Sequence, residues 1–229
     1  LEEDPAGVPP MLRIVLLGRP GAGKGTQGVF ISERFGIPRL VMSSLLKEEI
    51  SKDTDLGEVI KQYMDEGKLV PDEIVYKVLQ SRIMEVVDRG FVLDGFPRNI
   101  KQAEWLENFL SSNGIELTAV LYFDVDELTA LRRIMGRLVC ESCGRSYNIF
   151  YDPPPDVRRC KCGGRLYQRE DDCYEKILRR LNIFNEETNP LIEYYRNRGL
   201  LIRVNAGRDV ESVKEEIMSI ISKLLSRPS

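Results

Sequence analysis

The chain has 229 residues, 42% of them hydrophobic and 30% charged, which is enough apolar material for a buried core and one or two folding units. Lys and Arg number 33 against 36 Asp and Glu, a net charge of −3 that excludes the positive excess on which general nucleic-acid and membrane binders rest. With no His anywhere, Ser-His and Cys-His nucleophile pairs and imidazole metal ligands are excluded as well. No apolar run approaches the roughly 18 residues that cross a bilayer, and no short apolar stretch follows a basic start, so a cytoplasmic location is expected.

Residues 1–10, LEEDPAGVPP, are polar and proline-rich and are expected to lie outside the fold as a loose tail or expression remnant. From Leu12 to Leu17 the run LRIVLL reads as a central strand buried on both faces, and it leads straight into GRPGAGKGTQ. A helix follows from Gln27 to Phe35, closed by Gly36-Ile37-Pro38, and Leu40 to Met42 is a short strand or the start of a loop. Between Ser43 and Val70, Leu45, Leu46, Ile50, Leu56, Val59, Ile60 and Met64 recur at three- and four-residue spacing, so residues 41–70 read as an inserted lobe of small helices. Pro71 with Asp72 and Glu73 opens a helix that Gly90 ends, and Phe91-Val92-Leu93 is a second buried strand running into Asp94-Gly95-Phe96-Pro97-Arg98.

A helix, a strand from Ala119 to Phe123 and a helix from Asp126 to Met135 come next. Strands alternating with helices in this way point to an α/β fold, a parallel sheet with helices on both faces. Regularity breaks over 137–172, which reads as a second insertion. The pattern then resumes with one long helix from Tyr174 to Arg198, a strand from Leu200 to Val204 and a last helix. The core is therefore expected to be discontinuous, made of residues 11–40, 71–136 and 173–229.

Gly18-Arg19-Pro20-Gly21-Ala22-Gly23-Lys24 has the spacing of a P-loop and sits between a strand and a helix, where such a loop works. Glycines let consecutive N–H groups curl toward an anion, the helix start adds partial positive charge, and Lys24 supplies a point charge. The generic pattern has Ser or Thr directly after the lysine; here Gly25 intervenes before Thr26. Cys140, Cys143, Cys160 and Cys162 form two close pairs, a set that suits a tetrahedral structural Zn²⁺ in a segment too small to have its own core. Cys173 is the one other thiol, either a substitute ligand or a free, partly buried residue, the latter being preferred.

The run Gly18 to Gln27, followed by Leu93 to Arg98 and by Gln102, resembles the adenylate kinase family of nucleoside monophosphate kinases. The resemblance continues through Arg133-Ile-Met-Gly-Arg137, the cysteine segment, Arg169-Glu-Asp-Asp172 and Arg180, covering Met11 to about Ser226. It implies a P-loop NTPase-like five-stranded parallel sheet with a monophosphate-binding lobe and a lid. The implied activity is reversible Mg²⁺-dependent transfer of the ATP γ-phosphoryl group to AMP, giving two ADP, by a monomer whose lid closes. Phosphoryl transfer spreads charge over oxygens, so positioned cations and N–H groups suffice without a histidine.

The roles implied residue by residue follow the motifs. Gly21, Ala22, Gly23, Lys24, Gly25 and Thr26 hold ATP phosphates, with Arg133, Arg137 and Arg208 also on the ATP side. Arg133, Arg137, Arg169 and Arg180 converge on the transferred group, and Asp94 orients Mg²⁺ through its waters. Arg98 grips the monophosphate, Gln102 reads its base, and Met42, Lys47, Val70, Gly95, Arg169 and Arg180 complete the AMP side. Asp171 and Asp172 orient the closing arginines.

Two departures stand out. Where the family shows HISTGDLLR, this chain has Arg39-Leu-Val-Met-Ser-Ser-Leu-Leu-Lys47, which loses a hydroxyl at Met42 and the planar fork of an arginine at Lys47. The second cysteine pair is CxC where the zinc-bearing members show CxxC, or Asp in the fourth place. The first of these, at Met42-Ser43-Ser44, leaves open a kinase for another monophosphate or one using GTP as donor; a reading of a different class is a nucleotide-binding module with little turnover.

Overall fold

The computed structural model describes residues 11–65, 70–169 and 172–226. Five parallel strands form its central sheet in the order β2-β3-β1-β4-β8: β1 Arg13–Leu17, β2 Arg39–Val41, β3 Phe91–Asp94, β4 Ala119–Asp124 and β8 Leu201–Asn205. Ile14, Val15 and Leu16 on β1 and Phe91, Val92 and Leu93 on β3 are buried, as continuous apolar runs in the middle of a two-sided sheet must be. On one face lie α4 (Asp72–Val86), α5 (Ile100–Ser112) and α8 (Leu191–Asn197), which bury Leu79, Ile83, Leu106 and Leu191 against Val15 and Leu93. The other face carries α1 (Lys24–Phe35), α6 (Glu127–Met135) and α9 (Val210–Leu225), with Ile31, Ala130, Val213 and Ile217 packed on Ile14 and Leu121. This is the α/β class and sheet the sequence implied.

The helix after the P-loop begins at Lys24, three residues ahead of the expectation, because Gly23 at φ 90° caps it and places Lys24 in its first turn. Leu40 to Met42 divides: β2 stops at Val41 and α2 runs Met42–Ile50, followed by α3 Asp55–Asp65. The long helix expected from Tyr174 to Arg198 is interrupted. α7 (Tyr174–Ile183) passes through a π-helical turn at Phe184–Thr188 and ends before Asn189-Pro190, and α8 starts afresh, since proline cannot accept the helix in mid-run. Beyond α6 a separate antiparallel sheet in the order β6-β5-β7 forms from β5 Arg137–Cys140, β6 Ser146–Asn148 and β7 Leu166–Tyr167. Its apolar cluster is small, comprising Cys140, Tyr147, Cys160 and Leu166 with Leu138 packed against them.

Candidate active site

The carboxyl ends of β1 and β3 bring the P-loop and the Asp94-to-Arg98 turn side by side, the usual ligand crevice of an open parallel sheet. Gly21 allows the loop to close: a Cβ there would lie 2.3 Å from the Ala130 carbonyl oxygen on α6. Lys24 folds back on the loop, its Nζ donating to the carbonyls of Gly18 at 2.5 Å and Arg19 at 3.0 Å. Burial lowers the Lys24 pKa to about 8, and Arg98, Arg180 and Arg137 push it the same way while Asp94 opposes them. The crevice is thus short of negative charge, which is what a site for polyphosphate requires. Ala22 is buried, Gly23 half-buried, and Gly25 and Thr26 are exposed at the start of α1.

Three predicted residues meet at one carboxylate. Asp172, whose side chain is fully buried, accepts from Arg137 Nε at 2.8 Å and again from its Nη2, a bidentate fork, and from Arg180 Nη1 at 3.3 Å. Asp171 lies outside the described residues. Arg169, exposed, accepts through its carbonyl from the Asp172 N–H at 3.0 Å. Arg133 does not join this group: its guanidinium donates to the carbonyls of Ala206 at 2.7 Å and Arg208 at 3.0 Å and lies over the Tyr151 ring. Burial lowers its pKa. That position puts Arg133 with Arg208, whose own guanidinium pairs with Glu216, at the loop after β8, away from the cluster expected at the transferred group.

On the other side of the crevice Arg98 donates from Nε to the Gly95 carbonyl at 3.0 Å, and desolvation by the cleft, with Arg180 next, lowers its pKa. Gln102 is buried; its Oε1 accepts from the Arg98 backbone N–H at 2.8 Å and its Nε2 donates to Asp72 at 2.7 Å. Met42 is 5% exposed and belongs to the core cluster, with its Cβ 3.9 Å from where a Cβ on Gly95 would stand. Lys47 is exposed on α2 and Val70 is half-buried against the same cluster.

Sequence reasoning missed Arg39. Its Nη2 lies 2.5 Å from Asp94 Oδ2, its shaft crosses α1 where a Cβ on Gly28 would meet Nε at 2.8 Å, and that buried Nε has no partner among the described residues. The signal available was a charge opening a strand whose register sets Val41 opposite Asp94.

The cysteine set converges. The four Sγ atoms of Cys140, Cys143, Cys160 and Cys162 lie within 4.8 Å of one another, with Cys140 to Cys162 at 3.5 Å and Cys143 to Cys160 at 3.6 Å. A ZnS4 tetrahedron with Zn–S near 2.3 Å has edges of about 3.8 Å, so the donor set fits structural zinc. The shortened CxC is accommodated by Gly163 at φ 86° and by Gly164, where a Cβ would sit 2.7 Å from Cys140 Sγ. The Cys162 N–H and the Tyr147 hydroxyl, 3.3 Å away, lower the Cys160 thiol pKa to about 6. Cys173 caps α7, stands apart from the four sulfurs, and is exposed, not partly buried.

The adenylate kinase family model matches residues 16–200. A protein named adenylate kinase from Caldicellulosiruptor saccharolyticus is 44% identical over 92% of this chain and 99% of its own length. Proteins of the same name from Archaeoglobus fulgidus and Streptomyces avermitilis are 42% and 44% identical, over 94% and 93% of this chain and 100% and 98% of theirs.

Proposed function

The chain belongs to the adenylate kinase family, and we propose that it moves the γ-phosphoryl group between ATP and AMP through the residues assembled at the ends of β1 and β3. The observation that carries this reading is the crevice at the ends of β1 and β3, where Lys24 bonds the Gly18 and Arg19 carbonyls, Arg98 bonds the Gly95 carbonyl, and Arg137 and Arg180 meet at Asp172. Lys24 turns from the Gly18 and Arg19 carbonyls to the donor phosphates, joined by the amides of Gly21, Ala22, Gly23 and Gly25 and by Thr26. Arg137 and Arg180, oriented by Asp172, stabilise charge on the transferred group with Arg169. Arg98 holds the acceptor phosphate. Arg133 and Arg208 take the donor nucleotide, an assignment that the hydrogen bonds from Arg133 on α6 to the loop after β8 support better than a place at the transferred phosphoryl. Gln102 reads the acceptor base beside Met42, Val70 and Gly95, and Lys47 supplies charge at the rim.

Mg²⁺ arriving with ATP would neutralise phosphate charge, and the Asp94 carboxylate at the end of β3, a hard oxygen donor now paired with Arg39 at 2.5 Å, is the residue that would hold it through its waters. Since the loose transition state needs placed charge and no proton shuttle, the absence of His costs nothing. Residues 41–70 and 137–172 are read as two lobes that close over a core of 11–40, 71–136 and 173–229, keeping water from the phosphoryl group. The protein is read as a cytoplasmic monomer acting on small molecules, without nucleic-acid or membrane partners. No helix among the described residues is long and apolar enough to cross a membrane.

The test is transfer from Mg-ATP to AMP, CMP, UMP, GMP and dAMP offered separately, with each diphosphate product followed. ADP formed from AMP with the highest kcat/KM is the expected result. Preference for another acceptor moves the chain to a sister specificity, traced to Met42-Ser43-Ser44, and no transfer at all overturns the reading in favour of a nucleotide-binding module.

A further inference from the structure

A glutamine carboxamide is nearly symmetric in shape but not in polarity. Rotation by half a turn about its last torsion exchanges an acceptor for a donor at almost the same two points. The bases that such an amide reads differ in the same sense. Adenine offers an acceptor at N1 and a donor at its 6-amino group, whereas a 6-oxopurine offers a donor at N1 and an acceptor at O6. A freely turning Gln102 would therefore pair with either.

Gln102 is not free to turn. One side of the amide faces the Asp72 carboxylate at 2.7 Å, a group that only accepts, and the other faces the Arg98 backbone N–H at 2.8 Å, a group that only donates. Turned over, it would set oxygen against carboxylate and N–H against N–H, in a side chain 8% exposed with little water to relieve either clash. Both faces of this clamp are themselves held. The backbone at Arg98 is held from the next peptide by Thr188, whose hydroxyl donates to the Arg98 carbonyl at 2.7 Å. Asp72 opens α4, and α4 is registered on α5 by Tyr76 stacked on Trp105, ring centroids 4.3 Å apart, one turn beyond each of the clamped residues. The Gln102 N–H is fixed in turn by the Asn99 cap at 2.9 Å. With one N–H and one lone pair committed, a single N–H and a single lone pair remain for the base.

We propose that Asp72 is a positioning residue that locks the polarity of the Gln102 amide and so makes the acceptor site select a 6-aminopurine over a 6-oxopurine. This rests on the reading in which Gln102 meets the acceptor base. The lock acts on discrimination: without it, AMP loses its preformed partner and IMP gains one that can turn to suit it.

The experiment compares kcat/KM for AMP and IMP in wild type, Asp72→Asn, Asp72→Leu and Gln102→Leu, with the KM for ATP measured alongside. Asp72→Asn keeps an oxygen that can accept from Gln102 Nε2 and is expected to weaken the lock only in part, so Asp72→Ala, measured beside these, keeps the test valid should the leucine variant not fold. Loss of the lock is expected to lower the AMP-to-IMP ratio about tenfold or more, through a higher KM for AMP and a lower one for IMP, with the KM for ATP unchanged. A merely structural Asp72 would depress both acceptors together, and an unchanged ratio in Asp72→Leu or Asp72→Ala while Gln102→Leu collapses it overturns the proposal. If Gln102→Leu itself leaves the ratio at its wild-type value, the amide does not read the base, and the underlying assignment fails along with the lock.

Discussion

Lys24 shows how a single charge is kept ready. Its ammonium is satisfied by the carbonyls of Gly18 and Arg19, yet burial and three neighbouring guanidinium groups bring its pKa to about 8. A polyphosphate arriving beside it contributes opposite charge and raises that pKa again. The sign of the linkage follows: the free enzyme binds fewer protons at Lys24 than the complex over the window from about pH 8 upward, so nucleotide binding takes up a proton there and not at pH 6. Titration calorimetry of Mg-free ATP in buffers of different ionisation enthalpy is expected to give an uptake of about half a proton at pH 8, beyond that of the nucleotide itself, and close to none at pH 6. Buffer-independent heat at pH 8 would mean that Lys24 is already fully charged in the free protein. Asp172 serves a different purpose, since a buried carboxylate that binds two guanidinium groups fixes their direction at the cost of part of their charge. These pairs were legible from RxxxR, REDD and the following arginine as motifs, but which arginine goes where was not. Arg133 and Arg137 sit four residues apart in the chain, yet a break between α6 and β5 at Gly136 sends one to the loop after β8 and the other to Asp172.

At the scale of elements, the cysteine sheet depends on its metal set more than on apolar burial. β5, β6 and β7 share a cluster of five side chains, two of which are cysteines, far too little to outweigh the ordering of some thirty residues. Zinc binding supplies free energy of folding directly, of order 10 kcal/mol in small peptides. We therefore expect one zinc per chain by elemental analysis. Cys143→Ser is expected to lower zinc content and to raise amide exchange across residues 137–169 while protection in β1, β3 and β4 stays as it was. Full protection of that segment in a protein carrying no zinc would contradict this account. The two-by-two spacing announced the site, whereas the geometry that rescues CxC did not show in the cysteines at all. It lies in Gly163 and Gly164, one giving a left-handed turn and the other clearing space beside Cys140, and a pair of glycines after a metal-binding pair is a cue that sequence reading can use. The helix expected from 174 to 198 divides for a comparable reason: apolar spacing continues through Phe184 and Leu191, but Asn189-Pro190 breaks the backbone, and the π turn before it puts Thr188 within reach of the Arg98 carbonyl.

For the molecule as a whole, the cations gathered at the crevice repel one another until an anion arrives. Arg98, Arg137 and Arg180 all depress the Lys24 pKa, so bringing them closer without an anion is unfavourable, and nucleotide phosphates reverse the sign of that interaction. The cysteine sheet meets the rest of the chain where α6 runs into β5 at Gly136 and where α7 begins, with Ile134, Ile177 and Leu181 packed as a small separate cluster between those two helices. Such a cluster can act as a fulcrum without disturbing either main core. Closure is then expected to follow occupancy by phosphate and to weaken with ionic strength. Fluorophores placed through unnatural amino acids at Glu58 on α3 and at Val157 beyond β6, both exposed, report the separation of residues 41–70 and 137–172, the segments proposed to close. A bisubstrate analogue joining two adenosines through a polyphosphate is expected to shorten that distance at low salt, with Lys24→Met losing the response. The same distance with and without the analogue would mean that the arginines are already in place, and that Asp172 alone, not lobe movement, assembles the site.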